Sequence, residues 1–133
     1  MDYNNIFKIW GLRLRLLLTD TSEIDLIQVK KDCFCSIHFH KNKVNKFYII
    51  EGKLRIESEY GKILLEANDS FEIRPPIKHR FFAEEDTVAI ELAYVENGKI
   101  DAKDIMRFKQ GGKIIKGEEL TEDEIRLKGL LEL

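Results

Sequence analysis

The sequence predicts an all-β domain, an antiparallel sandwich or closed barrel carrying one short C-terminal helix. Three observations predict it. Runs rich in Ile, Val, Phe and Tyr recur through the middle of the chain at short intervals. Turn formers separate them, at Lys31-Asp32, Glu51-Gly52, Tyr60-Gly61, Asn68-Asp69, Pro75-Pro76, Glu84-Glu85-Asp86 and Asn97-Gly98. The helix signal sits in the last residues. The chain has 133 residues, the size of one domain, and a second core would not fit comfortably.

Taken in order, residues 1–21 form an N-terminal segment of strands or arm. Residues 24–29 mix apolar and polar positions at short period and open the core. Strand-like runs follow at 33–40, 46–50, 53–57, 62–66, 70–73, 80–82 and 87–95. About eight short strands with frequent turns roll into a sandwich or barrel, and closure leaves few exposed edges. The core thus spans residues 22–96, and 97–133 form a C-terminal extension with a helix near 121–132. Thr121 and Glu124 fit a capping box at its start. Ile125, Leu127, Leu130, Leu131 and Leu133 form an apolar stripe that packs on the barrel or a partner. Gly111-Gly112 reads as a flexible joint before the helix.

Apolar residues make up 44% of the chain, and eight Phe and four Tyr supply bulky core material. Charged residues reach 35%, but 22 basic and 24 acidic residues leave a net charge of -2. That balance offers no basic footprint for nucleic acid. Leu16-Leu17-Leu18, flanked by Arg13 and Arg15, is too short to span a membrane. The chain therefore reads as cytoplasmic, with neither a nucleic acid nor a membrane as partner. Cys33 and Cys35, two apart on a strand, share a face and read as small half-buried packing residues.

The chemistry gathers on histidine. There are three, and on a strand His38 and His40 project from one face, so their imidazoles can converge. Imidazole is the usual nitrogen donor to Zn, Fe, Ni and Cu. His79, the third, follows the Pro75-Pro76 turn and opens another apolar strand. The spacing then becomes specific. His38 and His40 are followed by four residues, Asn45, six residues and Gly52. Asp69, Ile73, Pro75 and His79 fall in a second register. These two segments resemble the two motifs of the cupin superfamily, in the order that superfamily carries them. The stretch Trp10-Gly11, then Cys35 to Lys41, then Phe47 to Leu54 is similar to small cupins grouped with sugar-isomerase and mannose-6-phosphate-isomerase-like proteins.

The resemblance implies an antiparallel double-stranded β-helix, or jelly-roll barrel. It implies one divalent transition metal (Zn, Fe, Ni or Mn) on His38, His40 and His79, and a homodimer. Four residues depart from the motifs. Asp32, Asn68 and Pro76 stand where glycines are usual, which alters turns. Asn45 stands where the family places a glutamate ligand, and an amide offers only a neutral oxygen. Its loss lowers affinity for hard cations such as Mg or Mn more than for Zn, Fe or Ni.

Strand parity extends the pocket. Inward-facing His38 and His40 take Phe34 and Ser36 with them, Asn45 takes Phe47 and Ile49, and His79 takes Phe81. Glu91 lies in an apolar run from Val88 to Val95 and serves either as a pocket base or as a salt-bridged or solvent-facing residue. Arg74, Lys78 and Arg80 near His79, with Lys41, Lys43 and Lys46 after His40, either attract an anionic small molecule or form a solubilising face. Three functions follow from the resemblance. One is a sugar or sugar-phosphate isomerase using Glu91 as base. Another is a three-His non-heme iron dioxygenase. The third is a ligand-binding cupin without catalysis.

Overall fold

A computed structural model describes residues 5–131. Two antiparallel sheets face one another. The first, in spatial order, holds β1 (Asn5–Lys8), β2 (Gly11–Leu18), β3 (Ser22–Val29), β11 (Thr87–Tyr94), β6 (Val44–Glu51) and β9 (Ser70–Ile73). The second is centred on β10 (His79–Ala83). On one side β10 pairs with β7 (Lys53–Ser58), which pairs with β8 (Gly61–Glu66). On the other side it pairs with β4 (Cys33–Phe34) and β5 (Ile37–Phe39). Beyond these lie β12 (Met106–Lys109), β13 (Gly112–Ile115) and β14 (Glu118–Thr121). The runs read from sequence correspond to β3 through β11. The flanking segments are not loose: β1 and β2 widen the first sheet, and β12 to β14 widen the second.

Alternation fixes which side chains meet between the sheets. Along β11, Thr87, Ala89, Glu91 and Ala93 are buried, and the intervening residues are half-buried. Ile27, Val29, Phe47, Ile49 and Ala89 from the first sheet pack against Leu54, Ile56, Phe81 and Ala83 from the second, with Trp10 between them. Trp10 meets Phe81 edge-on at 5.0 Å between ring centroids. A smaller cluster of Ile115, Leu120 and Ile125 lies under the C-terminal segment.

Two motif departures keep their turns. Asp32 and Asn68 hold φ of 67° and 72°, the left-handed conformation that Asp and Asn tolerate best after glycine. Gly52 (φ 96°) closes the first motif where a Cβ would come within 2.3 Å of the Asp86 carbonyl oxygen.

Two expectations are corrected here. Helix α1 spans Glu122–Leu127 only. Thr121 caps it, with the reciprocal Glu124 contact of a capping box. It stops early because Gly129 turns left-handed (φ 68°) and the Leu130 N–H donates to the Ile125 carbonyl. Of the expected stripe Ile125 is buried, whereas Leu127 and Leu131 are exposed. The expected helix end at 132, and Leu133, lie outside the described residues. Gly111-Gly112 is no loose joint either. Gly112 starts β13, and a Cβ there would strike the Leu120 carbonyl oxygen at 1.8 Å.

Candidate metal centre

The second sheet brings the three histidines together. His38 on β5 lies directly opposite His79, the first residue of β10. His40 follows two residues after His38 on the same face. The ring centroids of His38 are 4.6 Å from His79 and 5.0 Å from His40, and His40 and His79 are 5.8 Å apart. One ring nitrogen from each lies within 4.8 Å of the others. Two nitrogens about 2.1 Å from one ion can stand at most about 4.2 Å apart, so a small side-chain adjustment closes the set.

Backbone carbonyls fix the tautomers. His38 Nδ1 is 2.8 Å from the Ser36 oxygen, His40 Nδ1 is 2.6 Å from the Asp104 oxygen, and His79 Nδ1 is 2.9 Å from the Ile77 oxygen. A carbonyl only accepts, so each Nδ1 carries the proton and each Nε2 keeps a bare lone pair. The Nε2 atoms of His40 and His79 are buried with no hydrogen-bond partner. Unsatisfied acceptors in the interior are costly, and a coordinated ion would satisfy them. Burial lowers the pKa of all three. His38 falls to about 2, through burial first and then the nearby His79 and His40. Neutral imidazoles are the ligand form. The residues present fit a metal ion.

Asp104 is a supporting residue that sequence reasoning missed. Its carbonyl orients His40, and its carboxylate accepts the backbone N–H groups of Lys41, Asn42 and Lys43. Those bonds hold its carboxyl below the usual range against the raising effect of partial burial. It lies in a loop 64 residues from His40 with no motif around it, so no local signal marked it.

Beside the histidines lies a cavity of about 450 Å³ lined by Ser36, Asn45, Phe47, Phe81 and Glu91, among others. Phe34 does not line it, and the expectation for that residue is corrected. On β10 the partners of Phe34 and His38 are Phe82 and His79, three residues apart, whereas Phe34 and His38 are four apart. One extra residue between β4 and β5 forms a bulge and reverses the parity. Phe34 therefore stacks on Phe82 (6.0 Å) beneath Arg80, away from the histidines. Cys35 takes the inward place, its Sγ accepting from the Phe81 N–H, and burial pushes its thiol up to about 12. Ile49 does point between the sheets, but it lies in the packed core and not on the cavity wall.

Glu91 is a cavity residue and not a solvent-facing one. It faces the cavity and is paired there. Asn45 Nδ2 donates to Glu91 Oε2 at 2.7 Å, and Arg13 Nη2 stands 2.9 Å from Oε1. Arg13 also donates to the buried Asp25, which accepts from Arg15, and Arg15 and Lys43 both pair with Glu23. Burial works against the Arg13 charge, and Glu91 and Asp25 more than offset it. Asn45 Oδ1 is buried and unbonded.

Of the two readings of the cations flanking the histidines, the outward-facing one holds for all but one of them. Of Lys41, Lys43, Lys46, Arg74, Lys78 and Arg80, only Lys43 lines the cavity. Arg80 is held outward by Glu57 and Glu119, Arg74 pairs with Glu72 and Glu96, and Lys78 lies over Phe108. The cavity's cations come mainly from β1, β2 and β12 instead: Lys8, Arg13, Arg15 and Arg107.

Comparison with known proteins agrees with this architecture. No curated protein matches the chain. Ectoine synthase from P. lautus superposes with a TM-score of 0.65 at 19% identity, covering 90% of this chain and 89% of that one. KdgF from Halomonas sp. gives 0.62 at 20% identity over 68% of this chain and 83% of its own. The nucleoside dehydratase Pac13 of Streptomyces gives 0.68 at 9% identity over 80% and 84%. Likeness at such identities is one of fold, and these folds are cupins. The family model described as mannose-6-phosphate isomerase C-terminal matches residues 1–110. The chain belongs to that family, a branch of the cupins.

Proposed function

We propose that this protein is a metal-dependent cupin acting on a sugar or sugar phosphate, with isomerisation as its reaction. The observation that carries the reading is the trio of Nδ1-protonated imidazoles turning bare Nε2 atoms toward a common point. The family's description supports a sugar-type substrate. His38, His40 and His79 would hold one divalent transition metal, Zn, Fe, Ni or Mn. An ion bound there would supply Lewis-acid polarisation of a carbonyl and its neighbouring hydroxyl.

The chain's own residues do the rest. Glu91 is the base, taking a proton from the carbon beside the substrate's carbonyl and returning it to the carbonyl carbon. Asn45 and Arg13 hold its two oxygens in place. Phe47, Phe81 and Trp10 form the apolar wall that keeps water from that proton. Two copies associate through the outer face of the first sheet, where the cross-strand row Leu14, Leu26, Ile90 and Tyr48 is apolar. Both cysteines are free thiols, in keeping with a cytoplasmic setting.

One observation favours a second reading, a dioxygenase: the donor set holds three neutral nitrogens and no carboxylate. Metal analysis of the purified protein separates the readings. Zinc, manganese or nickel, with sugar-phosphate turnover and no oxygen uptake, supports the isomerase. Iron with substrate-dependent oxygen uptake supports the dioxygenase. Failure to retain any metal after reconstitution leaves a binding module. His38→Ala or His79→Ala is expected to remove most bound metal while the barrel stays folded.

A further inference from the structure

Two of the three imidazoles are oriented from within their own stretch of chain. Ser36 and Ile77, whose carbonyls hold the Nδ1 atoms of His38 and His79, each lie two residues before the histidine they serve. His40 is oriented from far away, by Asp104 in the loop between β11 and β12. Residues 101–105 of that loop form part of the cavity wall through Ala102 and Ile105. They are pinned on one side by Ile100, whose N–H donates to the Asp20 carbonyl at 2.8 Å, and run on the other into β12.

The loop has little to hold it down. None of residues 101–105 is buried, so hardly any apolar packing anchors them. Asp101 closes bonds inside the loop, its carbonyl accepting the Asp104 N–H and its Oδ1 the Lys103 N–H. Among the described residues, the side-chain hydrogen bonds that tie the loop to the rest of the molecule are all made at Asp104. Its carboxylate takes the N–H groups of Lys41, Asn42 and Lys43 at 2.7, 2.9 and 3.1 Å, and its carbonyl takes that of His40 Nδ1. A segment with few apolar contacts opens at low cost.

We propose that residues 101–105 are a flap on the cavity that the metal centre locks, with Asp104 as the positioning residue that couples the two. With the flap lifted, His40 Nδ1 loses its acceptor, the ring is free to turn, and only two oriented imidazoles remain. The closed flap therefore binds an ion more tightly than the open one, and an ion favours closure by the same factor. Loading the centre then also completes the cavity wall at Ala102 and Ile105. The inference rests on the metal reading proposed above and adds to it a moving part.

Amide hydrogen exchange of the wild-type chain, with and without zinc, tests the coupling. The Lys41, Asn42 and Lys43 amides are expected to exchange through flap opening and to slow about tenfold when zinc is bound. The Glu66 amide, which donates to Asp69 Oδ2 in a bond of the same kind away from the cavity, should not change. Asp104→Ala should weaken zinc binding about tenfold, as loss of a group that orients a ligand does. Asp104→Asn, whose amide oxygen still accepts, should fall between, and the exposed Lys99→Gln should match wild type. Long-range proton–nitrogen spectra of the metal-free protein supply a signature that a general loss of stability would not. In Asp104→Ala, His40 should become a mixture of tautomers while His38 and His79 keep the Nδ1–H form. Equal zinc affinity in wild type and Asp104→Ala overturns the positioning role. Zinc binding with no response at Lys41 to Lys43 overturns the coupling alone, whereas a wild-type chain that binds no zinc overturns the metal reading and the coupling together.

Discussion

A carbonyl oxygen behind each imidazole decides what the centre can do, because it leaves Nε2 as a bare acceptor. Burial of the three rings sets a pH dependence. All three histidines have folded pKa values below their ordinary value of 6.5, chiefly through burial. As pH falls through that value the unfolded chain takes up protons that the folded chain refuses, so stability drops. The carboxylates of Glu57, Asp104 and Glu119 are held low by their partners, and their contribution is lost only further into acid, as pH falls through their depressed values. Urea midpoints of metal-free protein at pH 7.5 and 5.5, about one unit either side of the ordinary histidine value, isolate the histidines. We expect a clear fall at the lower pH, reduced in the His38→Ala, His79→Ala double variant; an equal fall in both proteins would place the pH dependence outside these histidines. Asn45 carries a second prediction. Asn45→Glu would replace the amide that donates to Glu91 with a second carboxylate at the same spot. The metal-free variant should lose about 1–3 kcal/mol, the cost of a broken buried hydrogen bond and a like-charge contact. Manganese affinity should nonetheless rise if position 45 reaches the ion; unchanged affinity in a metal titration would place position 45 away from it.

At the scale of elements, the turn at Gly52 is the least forgiving point of the first motif. Its left-handed φ, and the Asp86 carbonyl oxygen 2.3 Å from where a Cβ would sit, leave no room for a side chain. Gly52→Ala should cost more than about 2 kcal/mol in urea unfolding, since strain and collision add. Thr121→Ala, which removes only the cap of α1, should cost about 1 kcal/mol. The contrast explains what could be read from sequence. Strands β3 to β11 were legible because their alternation and turn residues are local signals, and His38, His40 and His79 were legible because motif spacing encodes the β5–β10 register. Phe34 was misplaced because one bulged residue between β4 and β5 reverses parity without any local mark. Asp104 was not legible because its role arises only when the loop before β12 is laid beside His40, 64 residues away in sequence. Strand β12, with the sequence Met-Arg-Phe-Lys, does alternate apolar and basic residues, but it is only four residues long and exposed throughout.

At the scale of the whole molecule, the two faces of the first sheet divide the work. Its inner face carries the charge network and the core, and its outer face is largely apolar. The row Leu14, Leu26, Ile90 and Tyr48 crosses four paired strands, Leu17, Ile24 and Leu92 form a second row beside it, and Ile50 stands next to Tyr48 on β6. Tyr48 and Ile50 remain 43% and 45% exposed, as large side chains that the single chain does not cover. Four adjacent eight-residue strands (β2, β3, β11 and β6) present a face of roughly 19 by 26 Å, or about 500 Å² in projection and more in accessible area. That approaches the 800 Å² or so that each partner gives to a standard interface. A flat face paired with its own copy about a two-fold axis satisfies itself with no second surface. The expected state is therefore a dimer closed through this sheet. Tyr48→Arg together with Ile50→Arg places like charges within the contact, on positions already exposed enough to tolerate them in one chain. Sedimentation velocity should show wild-type dimer and variant monomer. Because the cavity opens on the other face of the sheet, the monomeric variant should retain its three histidines' metal; a wild-type monomer, or a variant that stays dimeric, would place the interface elsewhere.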